Sequence, residues 1–483
     1  MFKYSVLKSI CLLLLVLLLL SACTLFEQDQ PDASTESSVE SGSPAPAYTA
    51  DTQTFDSFED LKANVELFAQ KIPCTRSTKG YYAANDGGAA TYSIVNQKPS
   101  GVFEKLADGV WAVIQADESV VPQQFGAFGD GKRNDHTAIM RAVQYAQEHD
   151  VLLELPEADY YTMNAVILEN IEVVSHNAKI SYYGIQANTP TVEVRSNTRI
   201  EGNLNLYLYD PKTEWSAERC ALLIGDYTTV FTVKNCYIES VTLTGGMYGC
   251  NGVVIVGDSS EIEIGSVTIP NGTKYSRGVC LHWGNGEDHK AVSGFSPEMG
   301  EAGYTHVNGW DPMTHVHDVK IGKIDCKGLK PGPGMEDSDI SPIAICAAYN
   351  VTVDEIVVDD SCHAIHITGA DLGFEYASEE VKAIGGQKNI KIGKITGTNL
   401  RSTGVYIPAN PWYLPDISVN TEVTINEIDI SAAAGYLNAN YGVYLDSVGT
   451  SAIGKITAKG FKQALYVTED STDKVTCGEI AVS

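Results

Sequence analysis

Four aspartates crowd one short region of the 483-residue chain: Asp337 and Asp339 ahead of one strand-like run, Asp359 and Asp360 ahead of the next. His363, His366 and Arg401 follow closely. Counting back six residues from Ile345, Ile365 and Val405 gives Asp339, Asp359 and Asn399, equivalent places if the three segments are adjacent repeats. Neighbouring strands lie ~4.8 Å apart, so Asp339 and Asp359 would stack about one strand spacing apart, with Asp360 beside them. Carboxylates ~5 Å apart suit a retaining glycosidase and ~6.5–9.5 Å an inverting one, one acting as proton donor and the other as nucleophile or base. A lyase would instead need a base for the proton α to a uronate, with Ca²⁺ or Arg401 neutralising the sugar carboxylate. The same acids with Glu336 could coordinate Ca²⁺, although no cofactor is required. A plainer assignment stays open, in which Asp359 and Asp360 form one more turn and His366 is a surface residue.

Aromatic residues surround this region. The insertion from His282 to His317 holds His282, His289, His306, His315 and His317, together with Trp283, Tyr304 and Trp310. His315 and His317 alternate into a strand, so a metal site is conceivable there, but the spacing matches no established zinc pattern. A long loop carrying Trp and Tyr fits the wall of a sugar-binding groove better. Further insertions at 369–388 and 408–420 add Phe374, Tyr376, Trp412 and Tyr413. Insertions clustered on one edge imply one built-up cleft. The expected substrate-binding residues are Trp283, Trp310, Tyr406, Trp412 and Tyr444.

Two interleaved strand patterns position these side chains. The first alternates apolar and polar residues and then breaks at Gly265, Gly322, Asp354, Gly393, Asn426, Gly454 and Gly478. Gly, Asp and Asn tolerate the left-handed conformation, so these read as turn residues and Asp354 and Asn426 as non-catalytic. The second pattern places Cys280, Cys346, His366, Tyr406, Tyr444 and Tyr466 on the side of the strand facing away from the core. Alternating strand types that are apolar on one side are what stacked coils of a parallel solenoid require.

The chain before the repeats is different in kind. Lys3 and Lys8, an apolar run from Ile10 to Leu20 and Leu20-Ser21-Ala22-Cys23 have the proportions of a secretory signal. The last four residues resemble the bacterial lipoprotein box, which implies lipidation of Cys23, membrane attachment through that anchor and export to a bacterial cell surface. Residues 1–22 would be the signal and 23–55 a disordered tether. Residues 56–120 read as a small module: Phe58, Leu61, Val65, Phe68 and Ile72 at helical spacing behind Ser57 and Asp60, then a Gly-rich turn between strand-like flanks. It resembles the module preceding the β-helix in some phage tailspikes.

In the stretch Phe125–Pro156, Asp130 lies in a Gly-Asp-Gly turn and Asp135 stands where a helix N-cap should, followed by the stripe Ile139, Ala142, Val143 and Ala146. Phe-Gly-Ala-x-Gly-Asp-Gly, then Asp-x-Thr-Ala-Ile, a helix and Leu-x-Leu-Pro resembles the start of pectate-lyase-like right-handed parallel β-helices. That resemblance implies an all-β fold over 121–483, a single-stranded right-handed parallel β-helix with an N-terminal capping helix. It also implies action on a polysaccharide, by a glycoside hydrolase or a polysaccharide lyase. The pectate-lyase basic clusters are missing, and Asp359-Asp360-Ser-Cys only loosely resembles the Gly-Asp-Asp of polygalacturonases. A non-catalytic glycan-binding or adhesive β-helix is therefore the alternative.

Composition narrows the partners. With 33 Lys+Arg against 61 Asp+Glu, the formal charge of -28 repels nucleic acid and anionic lipid and slightly favours a neutral glycan. Apart from Cys11 and Cys23 there are nine cysteines, read as mostly buried or surface thiols with no pairing assigned. No capping helix is evident before Ser483, which leaves room for a partner or a homotrimer over the last coil.

Overall fold

The computed structural model describes residues 53–183, 189–209, 220–225, 232–246, 250–282, 316–329, 340–346, 348–367, 387–408, 421–436 and 438–482. The expected signal, Cys23 and the tether up to residue 52 fall outside them, as do Asp337, Asp339, Trp283, Trp310 and Trp412, whereas the end expected for the tether is already structured, Thr54–Phe55 pairing as a strand with Cys74–Thr78.

The first structured segment is a five-stranded sheet between Thr54 and Gln115 with a helix, α1 (Phe58–Ala63), packed against it. Ser57 starts α1 as expected, its Oγ accepting the Asp60 N–H at 3.1 Å. The apolar stripe is buried at Phe58, Leu61, Val65 and Phe68, but the helix stops at Ala63 and two 3₁₀ turns carry the rest. Asn64 ends it, donating to the Asp60 carbonyl from both its backbone and its side chain. The Gly-rich turn closes around Asp86, whose carboxylate accepts the N–H groups of Tyr81, Tyr82, Ala83 and Gly88.

Arg141 of the next helix, α2 (His136–His149), ties this sheet down by bonding Glu104 and the Phe103 carbonyl. Tyr82 stacks on Phe128 at 4.1 Å and donates to the Gly126 carbonyl. The stripe Ile139, Ala142, Val143 and Ala146 is buried against the first coil, so α2 covers the end that an open stack would expose.

Asp135 takes a different part from the one expected. Its carbonyl accepts the first helical N–H, from Ile139, but its side chain makes no capping bond and turns back to accept the N–H groups of Phe128 (2.6 Å) and Gly129 (3.1 Å). The neighbouring Asn134 side chain accepts the His136 N–H instead. Asp135 is 1 % exposed, so Asp135→Ala would strand two backbone donors and is expected to lose about 2 kcal/mol in a denaturant melt.

From Leu152 onward the chain winds between two sheets. Ten short strands, from Val166–Leu168 to Gln463–Val467, form one; longer strands, from Ile171–Tyr182 to Val475–Val482, form most of a 14-stranded second. Successive strands alternate between the sheets and every neighbouring pair along the coils is parallel, the topology of a right-handed parallel β-helix. Each coil turns Val, Ile and Leu inward, and a side chain buried in this way contributes about 2 kcal/mol.

The expected turn glycines are not turns. Val316–Lys327 runs straight through Gly322 and Ile390–Leu400 through Gly393, and neither glycine has positive φ. What they supply is space: a Cβ would lie 2.5 Å from the Gly265 carbonyl oxygen at Gly322, and 2.3 Å from that of Asp354 at Gly393. Left-handed residues mark the start of the long strands: Asn170, Asn197 and Asn389 stand one place before them, and Asn235, Glu261, Asp318 and Asn350 are their second or third residues. Their amides bond from coil to coil, Asn197 to Asn170 at 2.8 Å, Asn235 to Asn197 at 3.1 Å, Asn350 to Asp318 at 3.1 Å and Asn389 to Asn350 at 2.9 Å.

Candidate functional site

Strand alternation gives the ten-stranded sheet an outer wall, and its register defines one column across it: Val254, Cys280, Ala344, His366, Tyr406, Tyr444 and Tyr466. Cys346, expected in this column, is replaced by Ala344. The strand Ser341–Ile345 pairs two residues earlier than its sequence motif suggested, and Cys346 lies past its end. The column changes character along the stack. Val254, Cys280, Ala344 and His366 are at most 2 % exposed, whereas Tyr406, Tyr444 and Tyr466 are half-buried.

The rings at this end form one strip. His363 lies flat on Tyr406 (5.0 Å, 11°), His366 meets the same ring at 5.2 Å, and Tyr406 meets Tyr444 at 5.6 Å. Tyr444 stacks on Tyr466 at 5.4 Å, and Tyr441 touches both, at 5.5 and 4.9 Å. Tyr441 escaped the sequence reading because counting every second residue back from Val443 assigns it inward. The Tyr444 hydroxyl donates to Asp446 Oδ2 at 3.2 Å, and burial together with that carboxylate pushes the phenol up to about 12, so it stays protonated.

His363 is buried, with Nδ1 2.6 Å from the Thr403 carbonyl. A carbonyl only accepts, so Nδ1 carries the proton and Nε2 is the acceptor of the neutral ring. Ahead of it, Asp359 ends the strand Ala348–Asp359, and Asp360 turns the chain with φ 60°. The guanidinium of Arg401, 7 % exposed, donates to Asp360 Oδ1 through Nε (3.0 Å) and Nη2 and reaches its carbonyl at 3.3 Å.

Asp359 is held from one side. Its Oδ1 accepts both the Thr398 hydroxyl (2.6 Å) and the Asn399 amide (2.7 Å), while no described residue bonds Oδ2. Those two donors hold the carboxyl below the usual carboxylate range. The register sets Asp359 beside Thr398, so the place matching Asn399 is Asp360, one residue on from the expected equivalence, and both are left-handed. Asp339 belongs to the residues not described, so its pairing with Asp359 does too.

The metal candidates divide similarly. His315 is outside the described residues, and both ring nitrogens of His317 face carboxylates, Asp318 at 2.7 Å and Asp258 at 3.5 Å, over the Tyr349 ring. These bonds raise the imidazole's basicity, so the cationic ring is the form that fits. Among the described residues no group of three or more His, Cys, Asp or Glu is placed to hold a metal ion.

No protein-family model and no curated protein matches the chain. Among solved structures, it is similar to the enzymatically active domain of bacteriophage CBA120 tailspike protein 2, at 12 % identity and TM-score 0.46 over 89 % of this chain and 57 % of that one. Pantoea stewartii WceF, described as a glycan biofilm modifying enzyme with a bacteriophage tailspike-like parallel β-helix fold, aligns at 12 % identity and TM-score 0.39, over 88 % and 50 %. The Streptococcus pneumoniae surface protein and adhesin PfbA aligns at 13 % identity and TM-score 0.33, over 76 % and 98 %. The chain thus spans little more than half the length of the tailspike domain and half that of WceF.

Proposed function

We propose that this chain acts on a polysaccharide that lies across Tyr406, Tyr441, Tyr444 and Tyr466 and is cleaved at the Asp359 end of the strip. The carrying observation is the continuous aromatic strip, half-open and hydroxyl-rimmed, a surface on which sugar rings can stack while their hydroxyls hydrogen-bond. Asp359 is the base or nucleophile, because one oxygen is anchored and the other is available to substrate. Asp360 and Arg401 brace the turn that presents it, and His363 and His366 back the Tyr406 ring. A hydrolase would also need a protonated acid, for which Asp339 is our candidate; a lyase would need a cation for the uronate beyond Arg401, which Asp360 already occupies.

A panel of plant, bacterial and host polysaccharides incubated with the full chain tests this. New reducing ends alone mean hydrolysis; reducing ends with the ultraviolet absorbance of an unsaturated uronate mean a lyase. Tyr444→Ala is expected to weaken binding of the responsive glycan about tenfold, or ~1.4 kcal/mol, by equilibrium titration. Unchanged affinity would remove the strip from the site.

Binding without cleavage is the second reading. It is favoured by the fact that Thr398, Asn399 and Arg401 can all be understood as fasteners of the Asp359–Asp360 turn. Retention of a glycan with no new ends would decide for it. In either case we place the protein at a bacterial cell surface through a lipidated Cys23. Fatty-acid labelling is expected in the wild type and absent in Cys23→Ala, and equal labelling would refute the anchor.

A further inference from the structure

The first coils carry a second cluster of aromatic rings, on the outer side of the long sheet and away from the strip. Tyr183 is its centre, meeting Tyr161 at 5.5 Å, Tyr207 at 5.3 Å and Tyr209 at 5.5 Å. The parallel register brings its outermost members together: Met163, Tyr183 and Tyr209 each stand one residue past the end of successive strands, Asp159–Thr162, Ile171–Tyr182 and Thr198–Leu208. Met163 and Tyr183 are 39 % exposed and Tyr209 45 %. Single exposed apolar side chains are ordinary, but a contiguous group of them marks a surface that meets a ligand. The cation beside the cluster is already matched, Lys179 Nζ standing 2.6 Å from Asp159 and 5.2 Å from the centre of the Tyr207 ring. We propose that this cluster is a second grip for a neutral polysaccharide, on the opposite side of Asp359 from the strip of Tyr406, Tyr444 and Tyr466.

Register relates the cluster to Asp359. Tyr207 pairs with Thr244, and the same column runs on through Pro270 and Lys327 to Asp359, none of these residues being buried. The cluster therefore lies four coils before Asp359, whereas Tyr406, Tyr444 and Tyr466 lie in the three coils after it. At ~4.8 Å per coil, Tyr207 is ~19 Å from Asp359 along the solenoid axis. The two aromatic surfaces thus flank the carboxylate instead of sharing one side of it. The inference rests on the function proposed above, because a polymer cleaved at Asp359 extends in both directions from it. The chemistry of the cluster favours an uncharged sugar. Tyrosine rings offer apolar faces with hydroxyls at the rim, Lys179 is engaged by Asp159, and the formal charge of -28 repels an acidic chain. The same charge opposes a second copy of this chain as the occupant. Holding the polymer on both sides of the cleaved bond implies cutting within the chain rather than from its end.

The full chain is titrated with dextran, galactomannan and mixed-linkage β-glucan as neutral probes, with alginate and hyaluronan as acidic ones, and with di- and trisaccharides of whichever neutral polymer binds. The double variant Tyr183→Ala, Tyr209→Ala is expected to weaken binding of the neutral polymer about tenfold, leaving the short fragments and the melting temperature unaffected. Tyr444→Ala should weaken polymer and fragments alike. The second grip is overturned, and the proposed function stands, if Tyr444→Ala loses affinity while the double variant binds the polymer as the wild type does. Equal weakening of polymer and fragments in the double variant also overturns it, as does binding of the acidic probes alone. Binding of no probe removes the proposed function together with the grip. A double variant that sediments differently from the wild type at unchanged polymer affinity assigns the cluster to contact between copies and overturns the proposal.

Discussion

Asp359→Asn is expected to lower turnover of a cleaved glycan about 10³-fold while moving the melting temperature by no more than ~2 °C. The separation follows from the geometry. Thr398 and Asn399 both donate to Oδ1, which an asparagine carbonyl can replace, so the turn keeps its fastening. Oδ2 becomes an amide nitrogen, which neither accepts a proton nor attacks carbon. The sign of the pH dependence follows as well. Asp359 works ionised and its pKa is depressed by those two hydrogen bonds, so its contribution is present at neutral pH and is lost as pH falls below the ordinary carboxylate range, about 4. A kcat/KM profile measures that limb. Full turnover in Asp359→Asn would remove the residue from the chemistry and leave the strip as the only part of the proposal standing.

Gly202→Ala is expected to destabilise the β-helix by about 3 kcal/mol, measured as a loss of denaturant midpoint. Two independent penalties meet there. The backbone holds φ 75°, which an L side chain adopts at a cost of about 1–2 kcal/mol. An added Cβ would also stand 2.1 Å from the Ser175 carbonyl oxygen in the coil beneath, so the coils must part. Gly272, also at positive φ but with nothing within 4 Å of its Cβ position, isolates the first penalty. Equal losses at the two sites would show that stacking distance plays no part.

The alternation of apolar residues made the coils legible, because a period of two is read directly from residues such as Val351 and Val353. What the glycines do was not legible. A glycine needed for left-handed φ and one needed because a carbonyl lies against its Cα look identical in one dimension, and Gly322 and Gly393 proved to be the second kind. The asparagine rows were missed for a related reason. Asn197, Asn350 and Asn389 each stand at the beginning of a strand, but the partner that makes them a row is a coil away. At the site, the types Asp, His, Arg and Tyr could be read, and the strip through Tyr406, Tyr444 and Tyr466 came from the same alternation. The environments could not be read: Thr398, Asn399 and Arg401 reach Asp359 and Asp360 across 39 to 41 residues of sequence. The misplacement of Cys346 was a two-residue slip in aligning strands whose motif, small-apolar-x-apolar, occurs twice in succession near Ala344.

The asparagine rows carry a direction. Each upper amide gives a hydrogen and each lower one receives it, so a residue that can only receive ends the row beneath itself. Asp318 is such a residue, and Glu261, in register below it, cannot give to it either. The couplings therefore fall into two blocks, Asn170 to Asn235 and Asp318 to Asn389, and between Glu261 and Asp318 the coils are joined instead by the main-chain ladder, the core and the ion pairs Lys320–Glu263 (2.8 Å) and His317–Asp258 (3.5 Å). In a one-dimensional stack, whose stability is a sum of neighbour terms, a step without its amide bond is where that row can be interrupted with least loss of cooperativity. The insertion that begins after His282 and ends at His317 enters the sequence between Glu261 and Asp318. The insertion thus falls at one of the two steps of the amide row, Asn235 to Glu261 and Glu261 to Asp318, that among the described residues have no side-chain bond to break.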